Sequence, residues 1–104
     1  MESAVVAFKN GWYKGKVSNL HPIRISTNNY IKIYVDLDNG ITASNLCKPH
    51  LLPGNELYKW VRVCDVQLEA IDTEIHKHAF IDKDVQVYVV RKGDYYNIID
   101  VKKV

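Results

Sequence analysis

Tyrosine and lysine alternate with aliphatic residues in the stretch "NYIKIYVDLDNGI", residues 29–41. The odd-numbered positions of 31–37 are all aliphatic, so a strand in this region would bury that face. The even-numbered positions carry Tyr30, Lys32 and Tyr34, which the same strand would turn outward. Aromatic rings stack on nucleobases and ammonium groups attract phosphates, so this pattern predicts an outer face that contacts single-stranded nucleic acid.

Further aromatic and basic residues are predicted to extend this face. The stretch "GWYKGKVSNL", residues 11–20, indicates a first strand with Trp12, Lys14 and Lys16 on one side. If this strand pairs with the next one, those side chains join the two tyrosines on one outer surface. Residues in the loops that join strands one to two and four to five are also predicted to contact nucleic acid. The full predicted set is Trp12, Lys14, Lys16, Arg24, Tyr30, Lys32, Tyr34, Tyr88, Arg91, Lys92 and Tyr95.

These residues divide into two roles. We expect Trp12, Tyr30 and Tyr34 to stack on bases, while the basic side chains contact phosphates. Asp36 and Asp38 continue the same face and would repel phosphate, so the bound strand should end before them. The alternative is that the aromatic face packs against the rest of the protein or against another subunit, which is a common fate of exposed apolar patches.

Two cysteines and three histidines are of the types that bind zinc: Cys47, His50, Cys64, His76 and His78. The sequence has no second close cysteine pair, however, and Cys64 lies on the apolar side of a predicted helix, where a thiol acts as a small hydrophobic group. We therefore expect structural thiols and surface histidines, with no metal or other cofactor. The sequence also has no nucleophile motif, phosphate-binding glycine loop or paired-carboxylate signature, so it does not indicate an enzyme.

The composition predicts one globular domain over residues 1–104. The formal net charge is +2, from 14 Lys and Arg against 12 Asp and Glu. This charge is too small to require an acidic partner, so any electrostatic attraction to a partner depends on where the charges lie. We find no signal-peptide pattern and no apolar stretch of membrane-spanning length. These features favour a cytoplasmic protein with reduced thiols and no membrane partner.

Alternation and turn residues predict five strands, and these cover 11–20, 30–38, about 41–47, 84–92 and the residues from 95 onward. Residues 21–29 are predicted to be a polar connection, and Asn39-Gly40 predicts a type I′ hairpin turn. Gly15 predicts a bulge or bend in strand one. In strand five, both alternating sets of residues include side chains that could face the core, and this pattern predicts a bulge there.

The segment after strand three changes period. Leu57, Trp60, Val61 and Cys64 are spaced as on one face of a helix, and Asn55 is placed to cap its beginning. Residues 65–82 are expected to form a long connection. Five antiparallel strands with a helix between the third and fourth predict an all-β OB-fold, a five-stranded Greek-key barrel, and an SH3-like barrel is the alternative.

The arrangement "GWYKGKV…NNYIKIYVDLDNG…LYKWVRV…IDKDVQVYVVRKGDYYNIIDVKKV" resembles the small OB-fold single-stranded-DNA-binding proteins of bacteriophages and related mobile elements. The nearest likeness is the ending, a D-x-x-V-x-V pattern followed by a turn and Y-x-N-I. The resemblance implies binding of single strands during replication or recombination. Together with the aromatic face, it leads us to expect a homo-oligomer that binds single-stranded DNA with little sequence specificity. The sequence departs from the family by ending in "DVKKV" rather than an acidic, glycine-rich tail, which puts recruitment of partners by such a tail in doubt.

Overall fold

A computed structural model of the chain describes residues 8–50, 54–66 and 77–104. The described residues form five strands, one short helix and a single 3₁₀ turn. In chain order these are β1 (Gly11–Ile25), β2 (Asn28–Leu37), β3 (Thr42–Cys47), α1 (Glu56–Val63), the 3₁₀ turn Lys77–Ala79, β4 (Asp84–Lys92) and β5 (Tyr95–Lys102). Among the described residues, no helix is long and apolar enough to cross a membrane.

The five strands close into a barrel in the order β1-β2-β3-β5-β4. β1 pairs antiparallel with both β2 and β4, which is what completes the ring. β3 and β5 run parallel and meet at Ser44 and Asn97. The predicted all-β class with one short helix is therefore confirmed, as is the five-stranded closed sheet.

Alternation along the strands fills the barrel with aliphatic side chains. Ile33, Val35, Val85, Val87 and Val89 are fully buried, as period-two patterning predicts. The interior side chains and the buried face of α1 belong to a single hydrophobic cluster. One core therefore holds the barrel and the helix together.

The predicted connection over residues 21–29 is wrong, because β1 and β2 continue through it as a paired ribbon. The strands pair as far as Ile25 with Asn28, and Ser26 turns the chain with a φ of 58°. Most side chains of this ribbon are exposed, so they show no alternation that would predict a strand. Within the described residues, β1 is paired on one side only beyond Val17, and a proline is tolerated there.

Gly15 does not form the predicted bulge. Pairing between β1 and β2 runs evenly through Gly15, and the shift in register comes at Ser18, between Val17 and Asn19. Glycine is needed at position 15 for another reason, since a Cβ atom there would lie 2.5 Å from the main-chain oxygen of Asp36. The two backbones approach closely at this point.

The hairpin between β2 and β3 is confirmed, but its turn is not type I′. That turn type needs a positive φ at both central residues, and Asn39 does not have one, whereas Gly40 has a φ of 90°. The N–H of Gly40 donates to the carbonyl of Leu37 at 2.9 Å, and Leu37 N–H donates to Ile41 at 2.8 Å. This pattern is a three-residue loop in which glycine takes the left-handed position.

Helix α1 begins and ends close to the predicted residues. Asn55 precedes it in an extended conformation, but the Asn55 side chain makes no capping hydrogen bond. Leu57, Trp60 and Val61 are buried on the predicted apolar side, and Cys64 follows the helix. The helix packs its apolar side into the same core as the strands.

The end of the predicted connection 65–82 contributes to the core, while its residues 67–76 lie outside the described residues. Phe80 is fully buried. The N–H of Asp82 donates to the carbonyl of Val17 at 2.8 Å, and Val17 N–H donates to Lys83 at 3.0 Å. These bonds fix the approach to β4 beside the bulge in β1.

The bulge expected in strand five is confirmed. Tyr88 pairs with Asp100 and Val89 pairs with Ile98, so Ile99 is the extra residue. The bulge turns both Ile98 and Val101 inward, where each is buried, and leaves Ile99 exposed.

Candidate nucleic-acid interface

The outer side of β2 and its two neighbours forms one continuous surface, which we call surface A. Residues opposite each other in antiparallel strands project to the same side of the sheet. Tyr30, Lys32 and Tyr34 on β2 are therefore flanked by outward residues of β1 and β3. Surface A consists of Asn19, His21, Ile23, Tyr30, Lys32, Tyr34, Ser44, Leu46 and Lys48.

Tyr34 is the centre of surface A. Its ring lies 5.5 Å from the His21 ring in an edge-to-face arrangement, and the Lys32 ammonium lies 5.3 Å from the centre of the ring. Tyr30 and Tyr34 are both half-buried, so each is partly open to solvent. This arrangement holds the rings in place for stacking and puts a cation beside one of them.

Surface A is positively charged. Lys32 and the exposed Lys48 carry positive charge, and none of the nine residues is acidic. Lys48 follows Cys47, which pairs with Ile31, so the alternation of β3 turns Lys48 outward beside Tyr30. A polyanion that follows β2 would thus meet a lysine near each tyrosine.

A shallow groove of about 450 Å³ continues surface A beyond Tyr30. Its lining includes Asn28, Asn29, Lys48 and His50. Amides that both donate and accept hydrogen bonds can contact base edges, and lysine can contact a phosphate. The groove therefore has the chemistry to hold one further nucleotide.

An acidic belt crosses the outer face next to surface A and consists of Asp36, Asp38 and Asp84. Asp36 and Asp84 are the partners of Lys16 on the two sides of β1. Lys16 forms an ion pair with Asp84 at 2.7 Å, and the hydrogen bond and charge of Asp84, with smaller contributions from Asp82 and Asp38, raise the pKa of Lys16. We still expect a bound strand to end before Asp36, because these carboxylates would repel phosphate.

A second aromatic group, surface B, lies on the other side of the acidic belt, and it consists of Trp12, Lys14, Gln86, Tyr88 and Lys102. Trp12 pairs with Tyr88 across β1 and β4, and their rings meet edge to face at 5.5 Å. The Lys102 ammonium lies 4.2 Å from the centre of the Trp12 ring. Trp12 is 40% exposed.

The strand pairing therefore corrects the prediction that Trp12, Lys14 and Lys16 share one surface with the tyrosines of β2. Tyr34 lies opposite Asn19, which is seven residues along β1 from Trp12. At about 3.3 Å per residue this separation is roughly 20 Å along the strand. The predicted contacts thus divide into two groups with carboxylates between them.

The remaining predicted contacts lie at the ends of the barrel. Arg24 is opposite Asn29, on the reverse side of the ribbon from Tyr30. Arg91 lies 5.8 Å from the Tyr96 ring, and its Nε–H donates to the carbonyl of Gly93 at 2.8 Å. Lys92 and Tyr95 pair beside the turn between β4 and β5, and both are exposed. None of these residues belongs to surface A or surface B.

The structure adds residues that sequence reasoning missed. His21 was assigned to a loop, yet its place in β1 brings it against Tyr34. Lys48 follows β3, and the alternation of that strand turns its side chain outward. Lys102 ends β5, and the bulge in β5 decides which way its side chain points. Alternation in β3 could have predicted Lys48, whereas the contact between Lys102 and Trp12 depends on register.

The residues considered for zinc do not form a ligand set within the described chain. No group of three or more metal-ligating side chains occurs there, and His76 lies outside the described residues. Cys47 is buried, and its thiol donates to Asn45 Oδ1 at 3.1 Å. Burial raises the pKa of Cys47 to about 12 and that of Cys64 to about 11, so both thiols are neutral near pH 7.

No protein-family model matches the chain, and no curated protein matches it either.

Proposed function

We propose that the protein is an OB-fold domain that binds single-stranded DNA through surface A with little sequence preference. The resemblance noted in the sequence supports a role in replication or recombination of a bacteriophage or mobile element. The binding would be non-enzymatic, and a homo-oligomer would cover longer strands by placing several copies of surface A in a row.

The strand order supports the OB-fold assignment. A closed ring in the order β1-β2-β3-β5-β4, with β3 parallel to β5, is the arrangement of a five-stranded Greek-key barrel. The position of α1 between β3 and β4 fits the same fold. In that fold, ligands bind across the outer side of strands two and three, which is where surface A lies.

The observation that carries the proposal is the composition of surface A. Two half-buried tyrosines alternate with a lysine on one strand, and no carboxylate occurs before Asp36. Stacking on such rings is worth about 1–3 kcal/mol per base and does not depend on base identity. Lysine contacts with phosphate add affinity that depends on salt.

Titration of fluorescently labelled oligo-dT at two salt concentrations tests the proposal. We expect binding at low salt and weaker binding at high salt, because phosphate contacts release counterions. Replacing Lys32 or Lys48 with Ala should weaken binding and reduce the salt slope by about one each. Lys83→Ala, at an exposed lysine outside surface A, is the matched control.

A tyrosine series separates surface A from general charge attraction. We expect Tyr34→Ala to weaken oligo-dT binding by about 1–3 kcal/mol through loss of stacking. Tyr58→Ala changes a tyrosine of α1 that lies off surface A, and we expect it to leave affinity unchanged. Absence of binding at low salt, or equal effects of the two substitutions, would contradict the proposal.

A second candidate function is a protein–protein interface on the same surface. Leu46 is 39% exposed and Ile23 lies beside Tyr30, so surface A also has apolar character. As a subunit interface or adaptor surface, it would bury these side chains against protein. Light scattering of Tyr34→Ala distinguishes the two functions, since dissociation of an oligomer favours the interface and an unchanged oligomer with lost DNA affinity favours DNA binding.

A further inference from the structure

Surface B has the features of a stacking site in its own right. Trp12 has the largest aromatic face of any residue type, and it is 40% exposed beside Tyr88. Lys102 already places an ammonium group 4.2 Å from the centre of that ring. The ammonium group lies over the ring, so a base that stacks on this face would displace it toward the phosphate of that nucleotide.

The charge of surface B also suits an anion. Lys14 and Lys102 are exposed and basic, while Gln86 is neutral. The surface is bordered by Asp38 of the acidic belt, whose N–H donates to the carbonyl of Lys14 at 2.9 Å, and by Asp100, which is opposite Tyr88. Asp100 is engaged by the ammonium group of Lys59 in an ion pair, and this hydrogen bond is the main reason why the pKa of Asp100 is lowered. Lys102 at the ring and Lys14 two residues along β1 therefore bring positive charge to Trp12.

The acidic belt separates surface B from surface A. A strand of nucleic acid on Tyr34 would have to cross the carboxylates around Lys16 to reach Trp12, along roughly 20 Å of β1. Lys16 cannot offset them, because its charge is paired with Asp84 and two further aspartates adjoin it. Repulsion between phosphates and these groups makes one short continuous track over both surfaces unfavourable.

We propose that surface B binds a second segment of single-stranded nucleic acid, separate from the segment on surface A. One protomer would then hold two segments at once, one on each side of the acidic belt. This inference rests on the proposed function of surface A. A protein partner is the other occupant that could cover Trp12, but the two lysines beside the ring favour a polyanion.

The experiment uses the full chain and an oligo-dT of about five nucleotides, near the lower limit of site sizes for one OB domain. Calorimetric titration at low salt measures the stoichiometry, and tryptophan emission reports on surface B. Trp60 is buried and Trp12 is exposed. A change in tryptophan emission, or in the quenching of that emission by iodide, therefore comes from Trp12. We expect two oligonucleotides per protomer and protection of Trp12 from iodide.

Two substitutions assign the sites. Trp12→Ala should remove one binding event and leave the event that depends on Tyr34. Tyr34→Ala should remove the other event and leave the protection of Trp12 intact. Lys102→Ala keeps both rings and should weaken only the event at surface B, with its salt slope reduced by about one. The urea midpoint of each variant shows whether it is folded.

The outcomes separate this inference from the function of surface A. One oligonucleotide per protomer, with Tyr34 required and Trp12 still open to iodide, would overturn the second site and leave the proposed function standing. Dissociation of an oligomer by Trp12→Ala would also overturn it and would identify surface B as a protein interface. If the oligonucleotide binds neither surface at low salt, the proposed function fails together with the inference.

Discussion

At the scale of single residues, the Asn45 side chain makes four hydrogen bonds in the interior. It is buried at the junction of β3, α1 and β5. Its Nδ2 donates to the carbonyl of Ile98 at 3.0 Å and to Glu56 Oε2 at 3.3 Å. Its Oδ1 accepts from Trp60 Nε1–H at 2.8 Å and from the thiol of Cys47 at 3.1 Å. All four hydrogen-bonding positions of the amide are used, so its orientation is fixed.

Asn45→Asp tests this junction, because it replaces the donating amine with an oxygen. The new oxygen would face the carbonyl of Ile98 and the carboxylate of Glu56, and a buried, repelled charge is costly. We expect the free energy of unfolding to fall by about 3 kcal/mol, as measured by urea denaturation at neutral pH. Asn39→Asp makes the same chemical change in the exposed hairpin, where the side chain accepts a hydrogen bond from Ile41 N–H, and should have almost no effect. Equal losses in the two variants would contradict this account.

At the scale of elements, the close crossing of β1 and β2 depends on the absence of a side chain at Gly15. A Cβ atom there would lie 2.5 Å from the main-chain oxygen of Asp36 and 2.8 Å from Val35 Cγ1. The first neighbour is backbone, so it cannot rotate away. The same crossing sets the register that places Lys16 opposite Asp36 and His21 opposite Lys32. Gly15 thereby contributes to where surface A ends and the acidic belt begins.

Gly15→Ala should therefore destabilise the barrel, because the two strands must separate to admit a methyl group. We expect a loss of about 1–3 kcal/mol in the free energy of unfolding, the usual cost of overpacking. Gly11→Ala is the matched control in the same strand, since nothing lies within 4 Å of its added Cβ atom. Urea midpoints measure both variants. If Gly15→Ala were as stable as Gly11→Ala, the close approach would not be needed.

At the scale of the whole molecule, the two thiols link stability to pH. Burial, helped by the charge of Glu56, raises the pKa of Cys47 to about 12, and burial raises that of Cys64 to about 11, from 9.0 in the unfolded chain. Below about pH 9 the thiols are protonated in both states and their contribution to stability is fully present. Above it, the unfolded chain loses these protons first, so stability falls as pH rises toward the folded values.

We expect the free energy of unfolding to fall by about 1 kcal/mol or more per thiol between about pH 8 and pH 10. The double variant Cys47→Ser, Cys64→Ala lacks both thiols. The difference between its pH profile of stability and that of the wild-type protein therefore gives the contribution of the thiols, without that of lysines and tyrosines, which also titrate at high pH. Urea denaturation across this range supplies the measurement. Parallel pH profiles for the two proteins would show that the thiols do not titrate on unfolding.

Much of the fold follows from local pattern. Alternating valines predict β4 over 84–92, which are its observed bounds, and the helical spacing of Leu57, Trp60 and Val61 predicts α1. The bulge in β5 was also predicted, because two inward faces compete there. The ends of β1 and β2 were missed, since their exposed ribbon shows no burial pattern, and Phe80 was missed because it follows no strand or helix period.

Alternation along one strand is a local property, so the order of residues in β2 is enough to turn Tyr30, Lys32 and Tyr34 away from the core. The tertiary structure alone decided which residues stand beside them. It placed His21 against Tyr34 and moved Trp12 to Tyr88 and Lys102, beyond the acidic belt. These neighbours depend on strand register and on the bulges at Ser18 and Ile99, which shift the face that a strand presents to its partner.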